Sequence, residues 1–453
     1  MHRISKLFSA KCKEGEASGN SETKDESSKT DSRTVEEGTR QITLLVVGAG
    51  NRGNIYSSYA EDFPQRLKIV GVAEPQEVRR STFQKRFNVP NEHVFNDWTT
   101  AAKRERFADA VLISTLDDLH RDPCIAFADL GYHILCEKPM ATTEQECVDM
   151  VEASRRNDVI LAIGHVLRYT QTNMAVHKMI KDGSIGEVVG IRHMEPVGWW
   201  HFAHSFVRGN WKKEIKDIGS LMAKSCHDLD LIKHFIGQHK CIRIQSFGSL
   251  VHFTAKNKPE GAADRCLDCK IEQKCPYSAV RQYVQKGLFV HAVTNDIPDI
   301  ENIEKALRTG PYGQCVYSSD NDVCDYQTVN MEFEGGKYAT FVMSAFTKEV
   351  CARQITIMGT RGQIEVRGES VTMFDFLSGQ ETSIPCQQPP ELTTMRGHGY
   401  ADYYFMKAFV SGVASGDRSF IQSGPEDSLR GHQVVFAAEK SRKQGGAMIE
   451  IDI

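Results

Sequence analysis

Apolar residues along this chain gather in short runs separated by amphipathic stretches, at the spacing of alternating strands and helices. Ile42 and the run Leu44 to Val47 in "QITLLVVGAGNRGN" predict a buried strand, followed at once by a glycine-rich turn and a helical segment. "LKIVGVAEP" predicts the next strand, "ADAVLISTLDDLH" a third ending at Thr115, "PCIAFADLG" a helix closed by Gly131, and "YHILCEKP" a further strand. Such alternation predicts an α/β fold with a parallel sheet, in which ligands bind beyond the carboxyl ends of the strands. Glu137 and Lys138 then stand at a strand's carboxyl end, where Pro139 fixes the chain as it turns away.

The turn after the first strand reads Gly48-Ala49-Gly50-Asn51-Arg52-Gly53. Its glycines suit a tight turn, close approach of backbone to a pyrophosphate at the helix N-terminus, and close helix-strand packing. The second strand ends in Glu74, about 20 residues past the glycines, where a carboxylate accepts the ribose 2′-hydroxyl and repels a 2′-phosphate. The expected cofactor is therefore NAD rather than NADP, with Arg79 and Arg80 close enough to blur the preference. A lysine at position 138 can hydrogen-bond a substrate hydroxyl or a cofactor ribose, and its charge stabilises a developing alkoxide.

Composition narrows the class. At 453 residues two domains are expected, and 40% hydrophobic with 25% charged residues is ordinary for a globular protein. A net charge of -4 offers no broad attraction to nucleic acid. No apolar stretch approaches the ~20 residues that cross a bilayer, and the first residues lack the apolar core of a secretory signal. The 13 cysteines fit a reducing compartment, so a cytoplasmic location is expected. Residues 1–40 are charged and rich in Ser, Thr and Gly, and are expected to form a disordered tail. Its opening "MHRISKLFSAKCK" weakly resembles a mitochondrial presequence, against which the following acids argue.

The order of the GxGxxG turn, the strand-end acid, "ISTLDDLH", "EKP" and "GHVLRY" resembles the glucose-fructose oxidoreductase and inositol dehydrogenase family (Gfo/Idh/MocA). "GTRGQIEV" and "HGYADYYFMKAFVSGV" extend the resemblance over about residues 42 to 453. It implies a Rossmann domain, residues 41–164, joined to a substrate-binding α/β domain, residues 165–453, with an open, mainly antiparallel sheet that often forms an oligomer interface. A homo-oligomer, dimer or tetramer, is expected. The resemblance also implies NAD(P)-dependent oxidation or reduction of a CH-OH group on a sugar, sugar acid or cyclitol, and adds Thr115, His120 and Glu137 to the cofactor-binding residues. The family's EKP lysine falls on Lys138, and its catalytic histidine on His227. The aspartate four residues before that histidine is here Ala223, with Lys224 beside it. Histidine suits a carbinol proton near neutral pH. On a regular helix Lys224 and His227 share a face, so Lys224 is expected to bind an anionic group of the substrate and to lower the histidine pKa; Asp230 lies one turn further on.

"MEPVGWWHFAHSFVRGNW" suggests a sugar-facing stretch, with Trp200, His204 and Arg208 as substrate contacts and Arg168 as a further one. A domain-packing loop explains the same residues equally well. Cys266, Cys269, Cys275 and Cys315 offer four thiolates within an insertion, residues 253–315, and suit one structural zinc holding a segment with no core of its own. Free buried thiols are the other reading. Two functions stand beside the dehydrogenase: a glycoside-processing enzyme with transient redox cycling, and a cofactor-binding protein without turnover, suggested by Ala223.

Overall fold

The computed structural model describes residues 40–214, 219–294, 297–386, 389 and 393–453. The expected disordered tail lies outside them except for Arg40, whose guanidinium donates to Asp109 at 2.8 Å. Among the described residues, the strands before residue 164 are β1 (Ile42–Val47), β2 (Leu67–Ala73), β3 (Val94–Phe95), β4 (Ala110–Ile113), β5 (His133–Cys136) and β6 (Leu161–Ile163). They form one sheet in the order β3-β2-β1-β4-β5-β6, with every neighbouring pair parallel. The apolar runs of β1, β4 and β5 are buried almost throughout, as a parallel sheet covered on both faces requires. The strand order reverses between β1 and β4, which opens a crevice at their carboxyl ends. Gly48, Glu74, Thr115, Lys138 and His165 each follow the last residue of a strand by no more than two positions.

After Lys138 the chain enters the helix Glu144–Arg156. The Thr143 hydroxyl accepts from the Glu146 amide, and the Glu146 carboxylate accepts from the amide and hydroxyl of Thr142, a capping box displaced by one residue.

The remaining strands are β7 (Val188–Pro196), β8 (Cys241–Ser249), β9 (Tyr326–Phe333), β10 (Lys337–Ser344), β11 (Gln354–Gly359), β12 (Gly362–Arg367), β13 (Ser370–Asp375), β14 (Gln380–Ile384) and β15 (Ile449–Glu450). Their sheet runs β14-β13-β12-β11-β7-β10-β9-β8-β15, and only β7 and β10 pair in parallel, so the expected open, mainly antiparallel sheet is present. Along β9, Gln327, Val329, Met331 and Phe333 are buried in alternation with more exposed residues. The helices Cys226–Ile236 and Pro425–Lys443 cover the buried face. Val189, Tyr338 and Met358 remain exposed on the sheet.

Late in the chain, the helix Gly397–Ser415 returns to the first sheet and packs Tyr403, Phe405, Phe409 and Val410 into the same core as Ile42, Leu44 and Val46. Residues 253–315 also differ from expectation. Cys266, Ala279, Tyr283, Val293, Ile303 and Leu307 form a small core of their own, and Asp299 caps the helix Ile300–Thr309. The irregular spacing of those apolar positions hides this core from a periodic reading.

Candidate active site

The glycine turn separates into two roles. At Gly48 (φ +93°) a Cβ would lie 2.6 Å from the Ser114 carbonyl oxygen, and at Gly53 one would lie 2.1 Å from the Gly48 carbonyl oxygen, so the chain's own packing requires both glycines. A Cβ at Gly50 would meet nothing within 4 Å, and Gly50 with the exposed Asn51 opens the helix Asn51–Ser57. That is the bare backbone edge a pyrophosphate needs. Glu74 is buried beside it and accepts the amides of Ala49 at 2.8 Å and Gln76 at 2.9 Å, which leaves each carboxylate oxygen a second lone pair. Arg80 donates to the Glu74 and Pro75 carbonyls. These residues fit a dinucleotide.

Arg52 does more than line the turn. Its Nε donates to Glu137 at 2.7 Å, while Nη1 and Nη2 grip Asp402 at 3.1 and 2.7 Å. The guanidinium thereby ties the glycine turn to the strand-end acid and to the returning helix. Burial alone would raise the Glu137 carboxyl, but Arg52 and Lys138 outweigh it and hold the group below the usual carboxylate range. Asp402 is held far lower in the same way, by Arg52 and His398 against its burial. His120 is fully buried, with Nδ1 2.8 Å from the Pro139 carbonyl and Nε2 3.4 Å from that of Thr115. Both contacts are to carbonyl oxygens, and the shorter, at Nδ1, ties His120 to the strand-end loop at Pro139. The Thr115 hydroxyl donates to the Leu119 carbonyl.

Lys138 reaches across the crevice, and its Nζ donates to the Ala223 carbonyl at 2.8 Å. At the position where the family places a carboxylate, the chain offers a backbone oxygen. The residues Leu221–Ser225 form a π-helical turn ahead of the α-helix Cys226–Ile236. The extra width changes the angular spacing, so the expectation that Lys224 and His227 share a face fails. Lys224 turns to Cys351 (Sγ at 3.1 Å) and Glu195 (3.5 Å). Burial opposes its charge, yet Glu195 and Cys351 prevail and hold its pKa above the ordinary lysine value. His227 is 8% exposed, and its Nδ1 is buried without a hydrogen-bond partner. Burial first, then Lys138 and His165, push its pKa well below the ordinary value, so the imidazole is neutral near pH 7. The expected direction is found, with Lys138 rather than Lys224 as the nearby cation responsible.

A buried ion network backs the Lys224 side. The Arg353 Nε lies 2.6 Å from Asp228 and 3.2 Å from Glu195, and the His193 Nε2 lies 3.0 Å from Asp228. Burial would raise the Asp228 carboxyl, but Arg353 and His193 bring it down to about 2. None of these partnerships is visible in the sequence, since a strand, a helix and a loop far apart in the chain supply the groups.

Three expected substrate contacts are overturned by burial. Arg168 is 3% exposed and spends its guanidinium on Asp230, at 2.7 and 2.6 Å, and on the Gln422 carbonyl. Arg168→Ala would leave Asp230 buried and unpaired, so a loss of about 3–5 kcal/mol in unfolding free energy is expected. Chemical denaturation checks this, and an unchanged midpoint would contradict it. His204 donates to or accepts from the Tyr283 hydroxyl at 2.9 Å and stacks between Phe289 and Tyr312. Arg208 is 1% exposed and donates to the carbonyls of Gln314 and Tyr277. Both anchor the insertion, as the domain-packing reading would have it. Trp200 stays partly exposed, with its ring 5.6 Å from that of the half-exposed Phe289.

Cys266, Cys269, Cys275 and Cys315 do line one cavity, of about 20 Å³. Among the described residues, however, no three His, Cys, Asp or Glu side chains are gathered so as to hold a metal ion. The described residues thus give the zinc expectation no support, and the insertion has a small apolar core of its own.

Comparison with known proteins agrees with this geometry. Residues 42–165 match a family model described as an oxidoreductase family with an NAD-binding Rossmann fold, and residues 177–451 match that family's C-terminal alpha/beta domain. The putative oxidoreductase YteT of Bacillus subtilis is 23% identical over 315 residues, covering 67% of this chain and 71% of that protein. The 2,7-anhydro-N-acetylneuraminate hydratase of Escherichia coli is 31% identical over 147 residues, covering 32% of this chain and 38% of the hydratase. A solved levoglucosan dehydrogenase, in complex with NADH and levoglucosan, superposes with a TM-score of 0.66 at 17% identity, covering 91% of this chain and all of the other. At that identity the likeness concerns the fold.

Proposed function

We propose, on the premise that this chain belongs to the Gfo/Idh/MocA oxidoreductase family, that it is an NAD-dependent oxidoreductase acting on a CH-OH group of a sugar, sugar acid or cyclitol. The observation that carries this reading is that Lys138, at the carboxyl end of β5, reaches the turn before the helix of His227 and helps keep that imidazole neutral. NAD bound along Gly50 and Glu74 would take up or return the hydride. Lys138 donates to the substrate oxygen and stabilises negative charge as it develops there. His227 accepts the carbinol proton during oxidation and returns it during reduction. Arg52 and His120 hold the glycine turn and the strand-end loops in register. Trp200 and Phe289 offer apolar faces to a sugar ring. A panel of sugars, sugar acids and cyclitols, watched for NADH absorbance, tests the reading; no NADH with any of them would refute it.

Glu74 supports NAD over NADP, because a 2′-phosphate would meet a buried carboxylate. Calorimetry should find NAD(H) bound more tightly than NADP(H), with Glu74→Ala narrowing the gap. Equal or stronger NADP(H) binding to the native protein would sink the assignment.

A second reading draws on the 31% identical relative, whose name states a hydration rather than an oxidation. In it the substrate carbon is oxidised and reduced again within one turnover. Product formation without net NADH distinguishes it. The exposed Val189, Tyr338 and Met358 on the second sheet support a homo-oligomer formed through that face. The described cysteines are all unpaired, which supports a cytoplasmic location. No helix among the described residues is long and apolar enough to cross a membrane.

A further inference from the structure

The orientation of His227 poses a problem that the reading above leaves open. The carboxylate that the family places at position 223 is absent, and of the acids on the helix Asp228 is held by Arg353 and His193 and Asp230 is gripped by Arg168. A histidine base needs one ring nitrogen tied down so that the other faces its substrate in a fixed tautomer. His227 Nδ1 is buried without a partner, and the ring it meets edge-on, at 5.7 Å between centroids and 82°, is that of His165.

His165 is 1% exposed, and neither of its ring nitrogens has a hydrogen-bond partner within the usual distance. Its Nδ1 lies 3.8 Å from Asp230 Oδ2. The other imidazole against it, His432, is already committed: its Nε2 accepts from the Met140 amide at 2.9 Å, and its Nδ1 donates to the Ser428 carbonyl at 2.8 Å. His432 therefore competes for neither nitrogen of His165. Lys138 and Arg168, the cations near His165, can only donate, so neither can tie down the Nδ1–H of His227.

We propose that His165 is the positioning residue for His227, taking the place of the missing carboxylate. Asp230 accepts from His165 Nδ1–H, His165 Nε2 accepts from His227 Nδ1–H, and His227 Nε2 is left bare as the base. From a 3.8 Å contact to Asp230 and rings 5.7 Å apart, both bonds would close by rotation about χ2, a broad torsion for histidine. Asp230 can serve while paired, because each of its oxygens keeps a second lone pair beside the Arg168 bond. The proposal rests on the dehydrogenase reading only for the word base; the chain of hydrogen bonds stands without it.

The tautomer is directly measurable. In protein labelled with ¹⁵N-histidine and free of substrate, the His227 signals, identified by their loss in His227→Gln, should report a protonated Nδ1 and a bare Nε2. His165→Ala should abolish that preference and lower kcat at least about tenfold with NAD affinity unchanged, whereas His165→Gln, which keeps an acceptor near Nε2, should restore both in part. Nε2–H as the His227 tautomer in native protein would overturn the proposal, whether or not any variant folds. So would an unchanged tautomer in His165→Ala. Because the spectrum needs no turnover, it distinguishes an error here from an error in the dehydrogenase reading, which the NADH panel tests separately.

Discussion

Lys138→Ala and His227→Ala will each lower kcat by roughly a hundredfold or more, the usual scale for a lost oxyanion partner or acid/base group, while NAD(H) affinity stays close to native. The separation follows from position. The groups assigned to the cofactor, Gly50 and Glu74, follow β1 and β2, and the bonds of Glu74 involve neither Lys138 nor His227. Lys138 instead spans to the Ala223 carbonyl, so its loss removes a cation from the substrate side and frees one carbonyl. His227 sits in a neutral, mostly buried setting, and its loss removes the base without unpairing any charge. A fall in kcat/KM with KM little changed is the expected pattern, because both groups act mainly on the transition state. Stopped-flow absorbance with isothermal calorimetry of NADH binding checks both halves. Loss of NADH binding in either variant would move that residue into the cofactor site.

Stability should fall steeply as the pH drops from about 6.5 toward 5. Burial holds His432 down to about 3 and His204 to about 4, and holds His165 and His227 well below the ordinary histidine value. In the unfolded chain each titrates near 6.5, so below that pH the unfolded state binds protons that the folded state refuses. The stability these neutral rings contribute is complete above about pH 6.5 and is lost as the pH falls toward their folded values. For His432 and His204 the loss is about 1.4 kcal/mol per pH unit each, or about 2 kcal/mol each at pH 5, and His165 and His227 act in the same direction. Such losses are a large part of the roughly 5–15 kcal/mol that holds a typical domain together. Denaturant midpoints measured between pH 7.5 and 5 should decline throughout; a flat profile would show that these histidines accept protons in place.

The parts of this site that the sequence reveals are those written in local order. The glycine turn, Glu74 and the Glu137-Lys138 pair follow strands whose apolar runs are continuous, so their place at the carboxyl ends is legible before any coordinates. The departure at Ala223 is equally local. What escapes is long-range or irregular. Arg168 reads as a substrate contact because its partner Asp230 lies 62 residues away, and Arg52 reads only as part of the turn because Asp402 lies 350 residues away. The π-helical turn at Leu221–Ser225 defeats a count made at 3.6 residues per turn, which is why Lys224 was expected beside His227 and is found beside Glu195. Four cysteines close in sequence suggest a metal knuckle, yet they wall a small cavity next to a core that needs none.

The central claim is that Lys138 and His227 carry hydride chemistry at a substrate carbinol. Single-turnover mass spectrometry with a substrate deuterated at that carbon tests it most directly, once the panel has named one. The account predicts deuterium on the nicotinamide in native protein, transiently if no net NADH forms, and little there in His227→Ala. Product formed with the deuterium never leaving its carbon, or transfer at the native rate in the His227 variant, would contradict it.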